Sequence, residues 1–200
     1  TTFYRGLQDK GLPIVAIDRA MDDEYFASVI SEDMQGAIRL TDSLLASQPQ
    51  SIGLIGAVAD IAISQQRELG FRKAISYSAP QLIPQIQYGD HFSREVGAHL
   101  CAKWIKEGRV PQAILTTSYV LLEGVLDELV QHPELLAVTR LATFGDNRLL
   151  DYLPIRVNAL PQQFPLIAEK ALTLTLNAIH EQYKPGIHVI PRVLKVRAND

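Results

Sequence analysis

Cysteine is almost absent: Cys101 is the one thiol in 200 residues. A lone cysteine cannot close an intrachain disulfide, and its neighbours Ala98, Leu100 and Ala102 follow a helical apolar pattern, so a core thiol is expected rather than a nucleophile. Positive charge is not in excess either. Nineteen Lys and Arg against 22 Asp and Glu give a formal net charge of −3, which supplies no overall basic footprint for neutralising the phosphates of a duplex. Long apolar runs are also missing. No stretch approaches the roughly 18 to 20 uncharged residues a membrane helix needs, and Thr1-Thr2-Phe3-Tyr4-Arg5 lacks the apolar core of a signal peptide. The expectation is a cytoplasmic chain with no membrane partner.

What is present is the composition of a globular protein, 47% hydrophobic and 20% charged, long enough for one large domain or two small ones. Short apolar runs alternate with longer segments of helical period, which predicts an α/β chain built on mostly parallel sheets flanked by helices. Strands are expected near 14–18, 51–56, 85–88, 113–117, 141–144, 156–160 and 187–196. Helices are expected near 34–46, 64–77, 93–107, 118–131 and 164–182. In the first helix Ala37, Leu40, Leu44 and Leu45 recur at three- and four-residue steps, the stripe of a helix laid on a sheet. The prolines, among them Pro49, Pro84, Pro111, Pro133, Pro161 and Pro191, fall in the connections. An unbroken series of βα units runs to about Leu160 and stops at a proline-flanked break, after which one more helix and strand follow. Two lobes joined by several crossings account for that pattern; a single α/β lobe is the simpler alternative.

Catalytic signatures are missing. The sequence contains no Gly-x-Ser-x-Gly elbow and no phosphate-binding Walker loop, and Gly53-Leu54-Ile55-Gly56 has the wrong spacing for a dinucleotide fingerprint. The five histidines include no His-x-x-x-His pair, so no metal and no cofactor is expected. Polar residues instead collect where strands should end. Asp18 and Arg19 close the first strand in Pro13-Ile14-Val15-Ala16-Ile17-Asp18-Arg19. Arg67 lies on the helix after the second strand, Phe92 follows the third, Ser118 the fourth, Asp146 the fifth and Gln162 the sixth. In a parallel sheet all of these rim one mouth. Arginine forks suit phosphate oxygens and carboxylates accept from hydroxyls. Each has a plainer use as well: Asp18-Arg19 as a solvated turn, Ser118 as a helix N-cap, Arg67 as a solvated helix residue, Asp146-Asn147 as turn chemistry.

At these positions the chain resembles the effector-binding core of the lactose/galactose-repressor family of bacterial transcription regulators. The similarity runs from about Pro13 to Arg197 in ordered motifs: 13–19 above, Asp33-x-x-Gly36-Ala37, Ser51 to Gly56, Arg67-x-x-Gly70-Phe71-x-x-Ala74, Pro111 to Leu115, Phe144-Gly145-Asp146-Asn147 and Pro191 to Arg197. Segments 12–20, 116–125 and 141–147 look most like its fructose-repressor branch. The resemblance implies a periplasmic-binding-protein-like fold of two α/β lobes with three crossings. By position it implies a partial N-terminal lobe over 1–29, a C-terminal lobe over 30–160, a return to the first over 161–191 and to the second over 192–200. One lobe is thus expected complete and the other truncated.

It further implies a small phosphorylated sugar as ligand, fructose 1-phosphate in that branch, whose binding closes the lobes. The implied contacts are Asp18, Arg19, Arg67, Phe92, Ser118, Asp146, Gln162 and Arg192, with phosphate given to the three arginines and the ring face to Phe92. Operator DNA is expected to be bound only through an N-terminal helix-turn-helix absent from these residues. A homodimer is expected through the helix over 118–131, which carries more apolar surface than one sheet-facing stripe requires and corresponds to the family's dimer interface. Two other readings are a transport-type sugar-binding protein of the same fold and a small α/β enzyme, the latter weakened by the missing nucleophile and base.

Overall fold

The computed structural model describes residues 2–180 and 182–197. In chain order the elements are α1 (Thr2–Gln8), β1 (Val15–Ile17), β2 (Ala27–Ser31), α2 (Met34–Leu45), β3 (Ile52–Val58), α3 (Ala62–Ser78), β4 (Gln85–Gly89), α4 (Arg94–Lys106), β5 (Ala113–Thr116), α5 (Tyr119–Leu129), α6 (Pro133–Val138), β6 (Arg140–Phe144), a 3-10 turn (Arg148–Tyr152), β7 (Val157–Leu160), α7 (Phe164–Ile179) and β8 (Gly186–Ile190). They form two compact units. The first comprises 1–32 and 162–193, the second 33–161 and 194–200.

In the second unit five parallel strands lie in the order β4-β3-β5-β6-β7. Their residues alternate between two apolar faces, as strands buried on both sides must. Ile52, Leu54, Ala113 and Leu115 point into a layer shared with Leu40, Leu44 and Phe71 of α2 and α3. Ile55, Ala57 and Ile114 point the other way, toward Leu100, Trp104, Leu121 and Val125 of α4 and α5. Each fully buried aliphatic side chain contributes about 1.5–3 kcal/mol relative to exposure. Cys101 sits in this second layer, and burial pushes its thiol up to about 12, so it is an inert core group.

Close helix contact needs glycine at three places, and at Gly97 an added Cβ would lie 2.2 Å from the Leu121 carbonyl oxygen of α5. A Cβ at Gly70 would lie 2.3 Å from the Met34 carbonyl oxygen of α2, and one at Gly124 would lie 1.9 Å from that of Arg94 in α4. The packing of α4 against α5 also answers a question raised by the sequence. Leu121, Leu122, Val125 and Leu129 are all buried within the unit, so the surplus apolar surface of α5 serves α4 as well as the sheet. Val120 and Leu126 stay partly exposed, Leu126 at the margin of this layer, and Val130 is exposed.

The first unit holds three parallel strands in the order β1-β2-β8. Helix α7 covers them through Ile167, Ala171 and Leu174 against Ala27 and Val29. Its central strand, β2, was not among the expected strands: acids at 22–24 and 32–33 flank it closely and hide the short apolar run. The strand expected over 187–196 ends at Ile190, because Pro191 has no N–H for the ladder. Beyond it Lys195 makes only an isolated antiparallel bridge with Ala159.

Candidate functional site

Adjacent strands β3 and β5 mark the point where the order of the second unit reverses, since β4 follows β3 on one side and β5 lies on the other. Ligand sites in open parallel sheets form at the carboxyl ends of such strands. After β3 come Ser64 and Arg67 on α3; after β5 come Thr117 and Ser118; after β6 come Gly145 and Asp146.

Arg67 is 6% exposed. Its Nε and Nη2 both lie 2.8 Å from Asp33 Oδ1, Nη1 donates to the Thr117 carbonyl, and its guanidinium stacks 4.1 Å from the centre of the Phe144 ring. The Arg67-x-x-Gly70-Phe71-x-x-Ala74 motif is therefore first the seam between α3 and α2: Arg67 grips Asp33, Gly70 admits the α2 backbone, and Phe71 fills the core. Asp33 stands at the N-cap position of α2 but makes no cap bond, its carboxylate being turned to Arg67. Of the two sequence readings of Arg67, a phosphate contact or a solvated helix residue, the buried guanidinium excludes the solvated one, and the arginine forms a charge-compensated pair with Asp33.

Ser118 occupies the N-cap position of α5 in extended backbone, yet makes no cap bond. Among the described residues its Oγ is buried without a hydrogen-bond partner, as are Ser64 Oγ and Thr117 Oγ1. A buried hydroxyl left unsatisfied costs on the order of 1–3 kcal/mol, so three at one switch point mark a place prepared for polar contacts. Asp146 accepts from Arg197 Nη2 at 2.7 Å and from Lys195 Nζ at 3.4 Å. Asn147 does the turn chemistry, accepting from Leu149 N at 2.9 Å. Phe92 lies beyond edge strand β4, 43% exposed.

The first unit gathers a smaller set. Asp18 follows β1 in the left-handed region, φ 64°, which an aspartate tolerates better than most residues. Its Oδ1 accepts from Gln162 Nε2, which also donates to Ser31 Oγ at 3.0 Å. Arg192 is 5% exposed. Its Nε donates to the Glu32 carbonyl at 3.1 Å, and its backbone N–H reaches Glu32 Oε2 at 3.3 Å. Arg19 is exposed and has no hydrogen bond or ion pair among the described residues.

Within the first unit, then, Asp18, Gln162 and Ser31 are brought together; within the second, Arg67 and Ser118 stand at the switch point. Residue types alone did not single out Asp33 and Phe144 as the partners of Arg67, Ser31 as that of Gln162, Glu32 as that of Arg192, or Arg197 and Lys195 as those of Asp146. Only the Thr116-Thr117-Ser118 hydroxyl run carried a readable signal. Among the described residues no helix is long and apolar enough to cross a membrane.

No family model matches the chain. The fructose operon regulatory protein of Vibrio cholerae serotype O1 is 53% identical over 195 residues, 98% of this chain and 59% of that protein; the chain thus spans about three fifths of this relative. A crystal structure of the Cra transcriptional dual regulator from Pseudomonas putida, in complex with fructose 1-phosphate, is 46% identical with a TM-score of 0.89, covering all of this chain and 74% of that one. A periplasmic solute-binding protein of an ABC transporter from Actinobacillus succinogenes, with bound D-allose, superposes with a TM-score of 0.85 at 14% identity over 96% of this chain and 71% of that one. The last likeness establishes the periplasmic-binding-protein-like fold. The first two establish descent, and the chain belongs to the LacI family of transcription regulators, in the branch of the fructose operon regulators and Cra.

Proposed function

We propose that this chain is the effector-binding part of a bacterial transcription regulator that senses a phosphorylated sugar, fructose 1-phosphate. The observation that carries the reading is the Pseudomonas putida regulator, 46% identical over the whole chain and solved with that sugar phosphate. The side chains suit such a ligand. Arg19, an exposed guanidinium without an ion pair among the described residues, is the leading phosphate contact, assisted by Arg192 and by the outer edge of the Arg67 pair. Asp18, Gln162, Asp146, Ser118, Thr117 and Ser64 offer acceptors and donors to sugar hydroxyls, and the Phe92 ring offers an apolar face.

Operator DNA is assigned to a helix-turn-helix of the kind this family carries, since the net charge of −3 does not favour duplex phosphates. The protein works in the cytoplasm as a dimer through the outer face of α5, with Val120, Leu126 and Val130 at the contact. Sensing requires that the sugar phosphate bind one arrangement of the protein more tightly than the other, because a ligand of equal affinity shifts nothing. Transport-type sugar binding is the weaker reading, resting on a shared fold at 14% identity.

Calorimetric titration of the intact protein tests the assignment. Fructose 1-phosphate should bind and unphosphorylated fructose should not. Arg19→Ala should weaken binding about 10- to 150-fold, the equivalent of the 1.5–3 kcal/mol carried by a charged hydrogen bond. Heat with fructose but none with its phosphate sinks the proposal.

A further inference from the structure

In the second unit, the amino ends of β6 and β7 and the last turn of α2 border a cavity of about 300 Å³. We propose that it is a second anion site, one that takes a phosphate group.

The register of the sheet carries the argument. Leu141 of β6 pairs with Val157 of β7, so Arg140 and Arg156, one residue upstream on each parallel strand, stand side by side on one face. Neighbouring strands lie about 4.8 Å apart, and like charges directly across a sheet pair destabilise it. The neighbour of Arg140 on its other side is Ala113, which offers no compensation. Both guanidiniums are exposed, line the cavity and have no hydrogen bond or ion pair among the described residues. The carboxyl end of α2 beside them carries only about half a negative charge, which leaves most of two positive charges unanswered.

The rest of the cavity is fixed in place. Leu44, 2% exposed, makes an apolar floor. Asn158 is held from two directions: its Nδ2 donates to Ser43 Oγ at 3.0 Å, and its Oδ1 accepts the Arg197 backbone N–H at 3.0 Å. Arg197 is itself locked, donating to the Val157 carbonyl at 2.8 Å and to Asp146 and Asp151 at 2.7 and 2.8 Å. Ser43 and Ser47 also line the wall, with their hydroxyl protons donated to the Leu40 and Leu44 carbonyls at 2.7 and 2.8 Å. Paired arginine forks beside a fixed side-chain amide suit a tetrahedral oxyanion better than an apolar ligand. The volume equals about ten liquid waters at ~30 Å³ each, room for a phosphate with a small organic remainder.

The test is calorimetry on the intact protein at constant ionic strength, with inorganic phosphate and glycerol 3-phosphate as separate probes. At least one probe should bind in a one-to-one process that Arg140→Ala/Arg156→Ala weakens tenfold or more. Arg19→Ala should leave that process unchanged. Binding of both probes assigns the site to a phosphate ester, and binding of inorganic phosphate alone assigns it to the free ion. Both substituted side chains are exposed, and an unchanged thermal unfolding curve checks that the double variant folds. Equal affinity in the double variant and the parent, or loss of the process in Arg19→Ala, overturns the proposal.

Discussion

Arg67 is the residue at which a ligand-binding and an architectural role can be separated by measurement. Truncation by Arg67→Ala removes the two contacts to Asp33 Oδ1, the bond to the Thr117 carbonyl and the stacking on Phe144. It leaves the Asp33 carboxylate, 18% exposed, without that guanidinium. Breaking a buried ion pair from one side costs about 3–5 kcal/mol. The residual exposure of Asp33 places this pair toward the lower end, about 3 kcal/mol, against the 5–15 kcal/mol of a typical domain. Urea unfolding followed by the fluorescence of Trp104, which is buried in the second unit, reads that loss. In Arg67→Met/Asp33→Asn no charge is stranded, and more than half of the loss should return. If Arg67→Ala moves the unfolding free energy by less than 1 kcal/mol while weakening fructose 1-phosphate a hundredfold, the architectural account of this motif is wrong and the arginine serves the ligand alone.

Gly124→Ala should destabilise the second unit by about 1–3 kcal/mol through overpacking, because the added Cβ meets the Arg94 carbonyl and the Ala98 backbone nitrogen, which no rotamer change can move. A urea midpoint equal to that of the parent would show that α4 and α5 are not in this close contact. Acid should loosen the same unit. Hydrogen bonds from Lys195 and then Arg197 hold the Asp151 carboxyl below its ordinary 3.8, and Arg94 does the same for Asp127. A carboxyl lowered by folding adds stability above its unfolded value, and that contribution is lost as the pH falls through the lower folded one. Unfolding midpoints taken between pH 6 and 2 should therefore decline below about pH 4, and Asp151→Asn should decline less; identical slopes in the two proteins refute the assignment.

Much of the second unit was legible in the sequence because both of its signals are local. A strand buried on two faces reads as a continuous apolar run and a covering helix as a three- and four-residue stripe, and the runs at 51–56, 113–117 and 141–144 lie within β3, β5 and β6 or overrun them by a residue at one end. The first unit was less legible. Its central strand β2 is short and framed by acids, α1 carries no buried residue, and the expected last strand was cut by Pro191. The candidate residues could be read as polar groups at strand ends, but not their local partners: Ser118 stands at the cap position and its side chain makes no cap bond, and Arg67, for which a solvated helix position was one reading, is buried against Asp33.

The order of apolar runs, polar strand ends and motifs determined an α/β chain with arginines, carboxylates and hydroxyls where a ligand-binding rim should be, because periodicity and strand direction are written along the chain. Only the tertiary structure decided which charges neutralise one another. Asp33 stands 34 residues from Arg67 and Asp146 stands 51 from Arg197. No local rule joins them; the fold alone sets which guanidiniums are compensated, and among the described residues it leaves Arg19, Arg140 and Arg156 without an ion pair.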